Sequence, residues 1–203
     1  MQEDASDTLE TSDTSDTLVP SEDPFELLQK ATTLYKQGNR EEALDFLVRA
    51  EHSALTARRP EALVAIYSMA GSVFSGLEDF ERSLRYFEKS LQVIELFEEG
   101  EETEETEEEE SAFTEWSASN EHNIGKLLFR RDQPEEAEKR FTRSIKLYKK
   151  LLVADPENVQ HLSSLAKVKD SMGNLLSSRR QTDEACVVYT EAADIRRSLR
   201  KRK

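Results

Sequence analysis

The stretch SNEHNIGKLLFRRDQPEEAEKRFTRSIKLYKKLL, from Ser119 to Leu152, decides how this chain folds. It reads as two amphipathic helices joined by a short turn. Ile124, Gly125, Leu128 and Phe129 recur at helical spacing in the first half. Ala137, Phe141, Ser144, Ile145 and Tyr148 do so in the second. The same pattern occurs four times along the chain.

The recurrence has one internal register. Small residues stand at Ala31, Gly71, Gly125 and Gly173, and twelve residues later come Ala43, Ser83, Ala137 and Ala185. Four residues beyond these are Leu47, Phe87, Phe141 and Tyr189, and three further on Ala50, Ser90, Ser144 and Ala192. Two antiparallel helices approach to about 8 Å only where the side chains at their crossing are small. A constant twelve-residue step therefore holds turn length and helix register constant. The steps between units vary, at 40, 54 and 48 residues, so the extra length goes into helix ends and an insert.

This pattern resembles the tetratricopeptide repeat, W-x2-L-G-x2-Y followed by A-x3-F and then P over about 34 residues. The second unit matches it with Tyr67, Ala70, Gly71, Phe74, Ser83 and Phe87. The third does so with Ile124, Gly125, Leu128, Ala137 and Phe141, and the fourth with Met172, Gly173, Leu176, Ala185 and Tyr189. The first is the most degenerate, with Lys30 and Ala31 in place of Leu-Gly. The resemblance covers roughly residues 24–198, and its long units are similar to archaeal and prokaryotic arrays. It implies an all-α superhelix, a solenoid of about four antiparallel hairpins, acting as a non-catalytic protein-interaction scaffold. The alternative is a non-repeating helical bundle. In chaperone-binding members a Lys/Asn clamp holds a peptide C-terminus; the matching positions here are Leu28, Thr32, Ser68 and Ser72, which do not fit that clamp.

Charge divides the chain into segments. The formal net charge is −14, yet residues 1–24 hold eight acids and no base, and residues 98–110 hold ten acids and no base. The final RRSLRKRK contributes six positive charges. Residues 1–22, rich in Ser, Thr and Asp, lack the apolar groups that would offset the entropy of ordering them and are expected to be a disordered tail. The expected units are about 24–56, 60–97, 111–153 and 156–198, with an acidic insert at 98–110 and a basic tail at 199–203. Asp23 and Asp79 are candidate caps for the first and fourth helices, Asn39 for the second. Ser111 is expected to cap the fifth helix, Asp155-Pro156-Glu157 to start the seventh and Thr182 to cap the eighth.

Signals for chemistry are weak. No two of His52, His122 and His161 stand four residues apart, the spacing that places metal ligands on one helix face. The single cysteine, Cys186, has no neighbouring histidine, and Gly71 to Gly76 (GSVFSG) lacks the lysine and strand context of a phosphate loop. No cofactor or metal is expected. The chain has no run of about 18 apolar residues, so no membrane span is expected. A cytoplasmic protein is the reading. The basic tail lacks interleaved aromatics, which disfavours nucleic acid.

Function is therefore expected on a surface. In a stacked array the first helix of each pair lines the concave side. Projecting these helices nominates Leu28, Thr32, Tyr35, Ser68, Ser72, Ser75, His122, Lys126, Phe129, Arg130, Lys167, Asp170 and Asn174. The expected partner is a protein or peptide; the carboxylates that pair with Lys126, Arg130 and Lys167 would come from that peptide or from the chain's own acidic insert. A second reading is self-assembly through the eighth helix, whose Val187, Val188 and Ile195 could stay uncovered; a remote third is a nucleic-acid-associated regulator.

Overall fold

The computed structural model describes residues 22–99 and 106–201. Eight helices follow one another: α1 (Pro24–Gln37), α2 (Arg40–Thr56), α3 (Pro60–Gly76), α4 (Phe80–Glu98), α5 (Glu107–Arg130), α6 (Pro134–Ala154), α7 (Val159–Ser178) and α8 (Thr182–Arg200). Each packs most extensively on its hairpin partner: α1 on α2, α3 on α4, α5 on α6 and α7 on α8. First helices also touch one another, α1 with α3, α3 with α5 and α5 with α7, whereas among the described residues no second helix meets the next second helix. The stack therefore curves with α1, α3, α5 and α7 on its inner side. This is the all-α solenoid of four hairpins that the register implies.

The turns inside the hairpins share one geometry. Gly38, Glu78, Asp132 and Arg180 all have positive φ, at 91°, 61°, 59° and 62°. Each lies seven residues after the small residue of its first helix. The backbone N–H of the next residue closes the helix, with Asn39 donating to Leu34 O, Asp79 to Phe74 O, Gln133 to Leu128 O and Gln181 to Leu176 O, at 2.9–3.0 Å. This is the left-handed ending that glycine suits best, and only the first turn has glycine.

The small residues meet the large ones across the crossing. A Cβ on Gly71 would lie 2.8 Å from the Phe87 ring, one on Gly125 2.6 Å from Phe141, and one on Gly173 2.5 Å from Tyr189. In the first unit Ala31 replaces glycine and Leu47 replaces the ring, so volume is exchanged across the same contact. Ala43, Ser83, Ala137 and Ala185 are buried, and the Ser83 hydroxyl donates to Gly71 O at 2.7 Å. The Ser90 and Ser144 hydroxyls donate to Val64 O (3.0 Å) and Ala118 O (2.6 Å). One apolar cluster spans the first two units and another the last two. Val64, Ile94 and Phe113 form a third, smaller cluster between α3, α4 and α5, with the Phe97 ring tilted at 58° and 4.9 Å from that of Phe113.

Several boundaries differ from expectation. Asp23 and Asp79 cap α1 and α4, accepting from the backbone of Phe25 and Glu26 and of Arg82. Asn39 occupies the cap position of α2 without a side-chain cap bond. Helix α5 begins at Glu107, not Ser111, so the end of the acidic run is helical; carboxylates suit the positive end of a helix, and Glu110 pairs with Lys150 at 2.9 Å. The start of the run is helical too, because α4 reaches Glu98. Helix α7 starts at Val159, capped by Asn158 accepting from His161 N at 3.0 Å. Asp155 instead accepts from Glu157 N and Asn158 Nδ2 within the preceding turn. Thr182 is the first residue of α8, after Gln181, and α8 takes in Leu199 and Arg200 of the expected basic tail. Residues 1–21 of the expected tail and 100–105 of the expected insert lie outside the described residues.

Gly125→Ala should lower stability by about 1–2 kcal/mol in urea titrations, the overpacking cost exceeding the helix-propensity gain. Gly173→Ala should cost less, because Tyr189 is partly exposed on the last helix and its ring can swing away. Arg180→Gly should raise stability by about 1 kcal/mol, since it removes the Cβ strain of a left-handed residue.

Candidate functional site

The inner face holds two adjoining pockets. The first, of about 250 Å³, is lined from α1 by Leu28 and Thr32, from α3 by Ala65, Ser68, Met69 and Ser72, and from α5 by Trp116, Ser119, Asn120 and Asn123. The second, of about 220 Å³, is lined by Tyr35, Ser72, Ser75, Gly76, Phe87, Asn123, Lys126, Leu127 and Arg130. Ser72 and Asn123 belong to both, so the two form one groove. Three first helices supply nearly all of it, because α1, α3 and α5 lie side by side across successive units; Phe87 of α4 is the one lining residue from a second helix.

A buried polar network sits behind the first pocket. The Ser90 hydroxyl donates to Val64 O, so its oxygen accepts from Asn120 Nδ2 at 2.9 Å and from the Ser68 hydroxyl at 3.0 Å. This sequence of donors orients the Asn120 amide. Its Oδ1, on a side chain only 1% exposed, is left without a hydrogen-bond partner. Ser68 is accordingly part of the packing between α3, α4 and α5 as much as of the groove lining.

The second pocket is cationic and has no carboxylate among its lining residues. Among the described residues Lys126, Arg130 and Lys167 take part in no ion pair; Arg130 lies over the Phe80 ring at 5.5 Å. Partial burial, and then repulsion from Arg130 and Lys167, pulls the Lys126 ammonium below the ordinary lysine range. Arg40, at the start of α2, is not itself in the lining but packs against Gly76, which is: its Nε lies 2.7 Å from where a Cβ on Gly76 would be.

The nominated residues divide between this groove and other places. Tyr35, Ser72, Ser75, Lys126 and Arg130 converge in the second pocket, and Leu28, Thr32 and Ser68 in the first. His122 instead sits between α5 and α7, with Nε2 2.8 Å from the Ser171 hydroxyl and its ring 5.8 Å from Phe141. Burial, with Lys126 and Lys167 nearby, pushes its pKa down to about 4, so it is neutral. Phe129 packs half-buried on the core, Asp170 is paired with Arg196, and Asn174 accepts from the Tyr189 hydroxyl at 2.6 Å. Lys167 is exposed on α7 outside both pockets. The first four project toward the neighbouring helix or the hairpin partner because their positions on the helix lie off the line that faces the groove.

The sequence reading passed over Trp116, Ser119, Asn120, Asn123 and Arg40. Four of them continue the Lys126–Arg130 line toward the start of α5, at the three- and four-residue steps of one helix face. Extending that line upstream would have found them. Arg40 carries no such signal, since it comes from a second helix.

The described residues hold no cluster of three or more His, Cys, Asp or Glu side chains suited to a metal ion. None of their helices is long and apolar enough to cross a membrane. Cys186 is exposed.

His122 should weaken the fold in acid. Its folded pKa lies below the ordinary histidine value of 6.5, so the unfolded chain takes up more protons between the two values. Stability from this group is intact above about pH 6.5 and falls as pH drops toward 4, by up to about 3 kcal/mol. His122→Gln should flatten the dependence of the urea midpoint on pH over that window.

Residues 64–95, on α3 and α4, and residues 122–157, on α5 and α6, each match a family model described as the tetratricopeptide repeat. Solved structures of similar fold include MamA, with a TM-score of 0.59 at 12% identity over 88% of this chain and 81% of that one. BtubC from P. vanneervenii has a TM-score of 0.50 at 14% identity over 88% of this chain and 84% of that one. No curated protein sequence matches significantly. With matched repeats on two of its four hairpins and the same register in the others, the chain carries tetratricopeptide repeats, whose arrays are protein-interaction scaffolds.

Proposed function

We propose that the inner groove holds an extended, acidic segment of a partner protein. The observation that carries this reading is the cationic end of the groove: Lys126 and Arg130 face an open pocket with no carboxylate in its lining. Charges left unpaired within one cavity repel each other, and a ligand carboxylate relieves that repulsion. The other end supplies apolar contact from Leu28, Met69 and Trp116 and polar contact from Thr32, Ser119 and Asn123. Side chains of alternating character along an extended peptide suit such a floor.

Docking is favoured over self-assembly by the C-terminal end of the array. In the middle units Ile94 and Tyr148 are buried at equivalent positions, covered by the next hairpin. The fourth unit has Arg196 there, paired with Asp170 of its own hairpin. Val188 and Ile195, expected to be uncovered, pack on the core, and Val187 remains 58% exposed. The end of the stack thus presents a charged group to solvent. In the same helix Arg197 pairs with Asp194 at 2.7 Å, which reduces the free positive charge available to nucleic acid.

Trp116 is the only tryptophan and lines the groove, so its emission reports binding directly. A blocked hexaglutamate peptide should shift that emission and hexalysine should not. Lys126→Gln with Arg130→Gln should weaken hexaglutamate binding at least tenfold and reduce its salt dependence. No change of emission and no heat of binding with hexaglutamate would overturn the reading.

A further inference from the structure

We infer that the pocket between Tyr35 and Arg130 is a subsite for a phosphoryl group, carried on a serine or threonine of the partner segment. This rests on the groove reading above and specifies one residue of the ligand. The first ground is charge. Lys126 and Arg130 line a cavity of about 220 Å³ that has no carboxylate in its lining, and Arg40 stands at its margin against Gly76. None of the three takes part in an ion pair among the described residues. A carboxylate brings one negative charge; a phosphate monoester brings about 1.5–2 at pH 7.

The second ground is direction. Tyr35 approaches from α1, Arg40 from the start of α2, Ser75 from α3, and Asn123, Lys126 and Arg130 from α5. A carboxylate presents its acceptor positions in one plane and is satisfied by a single fork. A phosphoryl group presents three oxygens pointing apart, which donors arriving from several helices can reach together. The Ser72 hydroxyl is already committed, donating to Ser68 O at 3.0 Å. The hydroxyls of Tyr35 and Ser75 and the amide of Asn123 make no hydrogen bond among the described residues.

The third ground is the wall. Gly76 has no Cβ, and the Arg40 guanidinium occupies the space a Cβ would need. In the third unit the equivalent position is Arg130 itself, five residues after its repeat glycine just as Gly76 is five after Gly71. A side chain on α3 at that point would displace Arg40 from the pocket margin. The pocket thus depends on a bare helix end in one unit and a long cation in the next.

The test compares blocked heptapeptides identical except for a central serine, glutamate or phosphoserine, flanked by leucines, using Trp116 emission. At pH 7.5 the phosphoserine peptide should bind at least tenfold more tightly than the glutamate peptide. At pH 5.5, where the phosphate carries about one charge and glutamate stays ionised, that advantage should fall below threefold. Arg40→Gln should weaken the phosphoserine peptide at least fivefold and the glutamate peptide less than twofold. Lys146→Gln with Lys149→Gln, which removes two exposed charges from α6, should change neither. Inorganic phosphate, titrated alone by NMR, should shift the amide signals of Ser75, Gly76 and Asn123; if it equals the phosphopeptide in affinity, the subsite serves free phosphate and the peptide assignment is overturned. Equal binding of glutamate and phosphoserine peptides would overturn this inference and leave the groove reading standing. Failure of hexaglutamate and all three heptapeptides to bind would remove both.

Discussion

The contact between a bare helix backbone and a ring sets the whole array. Gly71 under Phe87, Gly125 under Phe141 and Gly173 under Tyr189 allow each helix pair to close to a distance no larger residue would permit. Once that crossing is set, the left-handed residue seven positions later fixes where the second helix starts. The serines that cap carbonyls of the first helix, Ser90 on Val64 and Ser144 on Ala118, then fall in place on the same face. The first unit solves the crossing differently, with Ala31 against Leu47, and keeps the same register. What matters is the summed volume at the crossing, not the identity of either partner.

That packing generates the groove as a by-product. Curvature brings α1, α3 and α5 side by side on the inner surface and leaves the second helices apart. The junction between the second and third units is apolar on both sides of its polar centre: Phe87 joins the α5 core residues Ala118, Ile124 and Leu127, and Val64, Ile94 and Phe113 form a separate small cluster. It is also where the Ser68–Ser90–Asn120 network lies, and where the groove is deepest in named side chains. Specificity at this junction is carried by hydrogen bonds of fixed direction, which tolerate less sliding than methyl groups do. A groove spanning such a seam is held in shape by the seam.

The groove's electrostatics follow from the uneven placement of acids. The chain is strongly acidic, yet its carboxylates concentrate in residues 1–24 and 98–110, so the inner face is free to be positive. Several cations elsewhere are engaged: Arg140 with Glu121, Arg179 with Glu135 and Glu138, Lys169 with Glu191. Lys126 and Arg130 differ from them in facing a cavity without a counter-charge. His122, beside Lys126 and Lys167, stays neutral, which spares this region a further positive charge.

The amino-acid sequence by itself determined the helical class, the four hairpins and their register. Those rest on spacing along one helix and on residue size, and both are local properties that Gly125, Ala137 and Phe141 display without any partner. It located Lys126 and Arg130 for the same reason, because projection from a single helix suffices when both lie on one line. Helix starts at Glu107 and Val159 escaped it, since competing capping residues differ by less than the tertiary contacts that choose between them, as with Glu110 and Lys150. Only the tertiary structure decided that His122, Asp170 and Asn174 face neighbouring helices, that Trp116 and Asn123 face the cavity and that Arg40 packs against Gly76 at its margin. A rotation of a few tens of degrees about a helix axis separates those outcomes. That rotation is set by how rings and glycines interlock across units, which no single stretch of sequence contains.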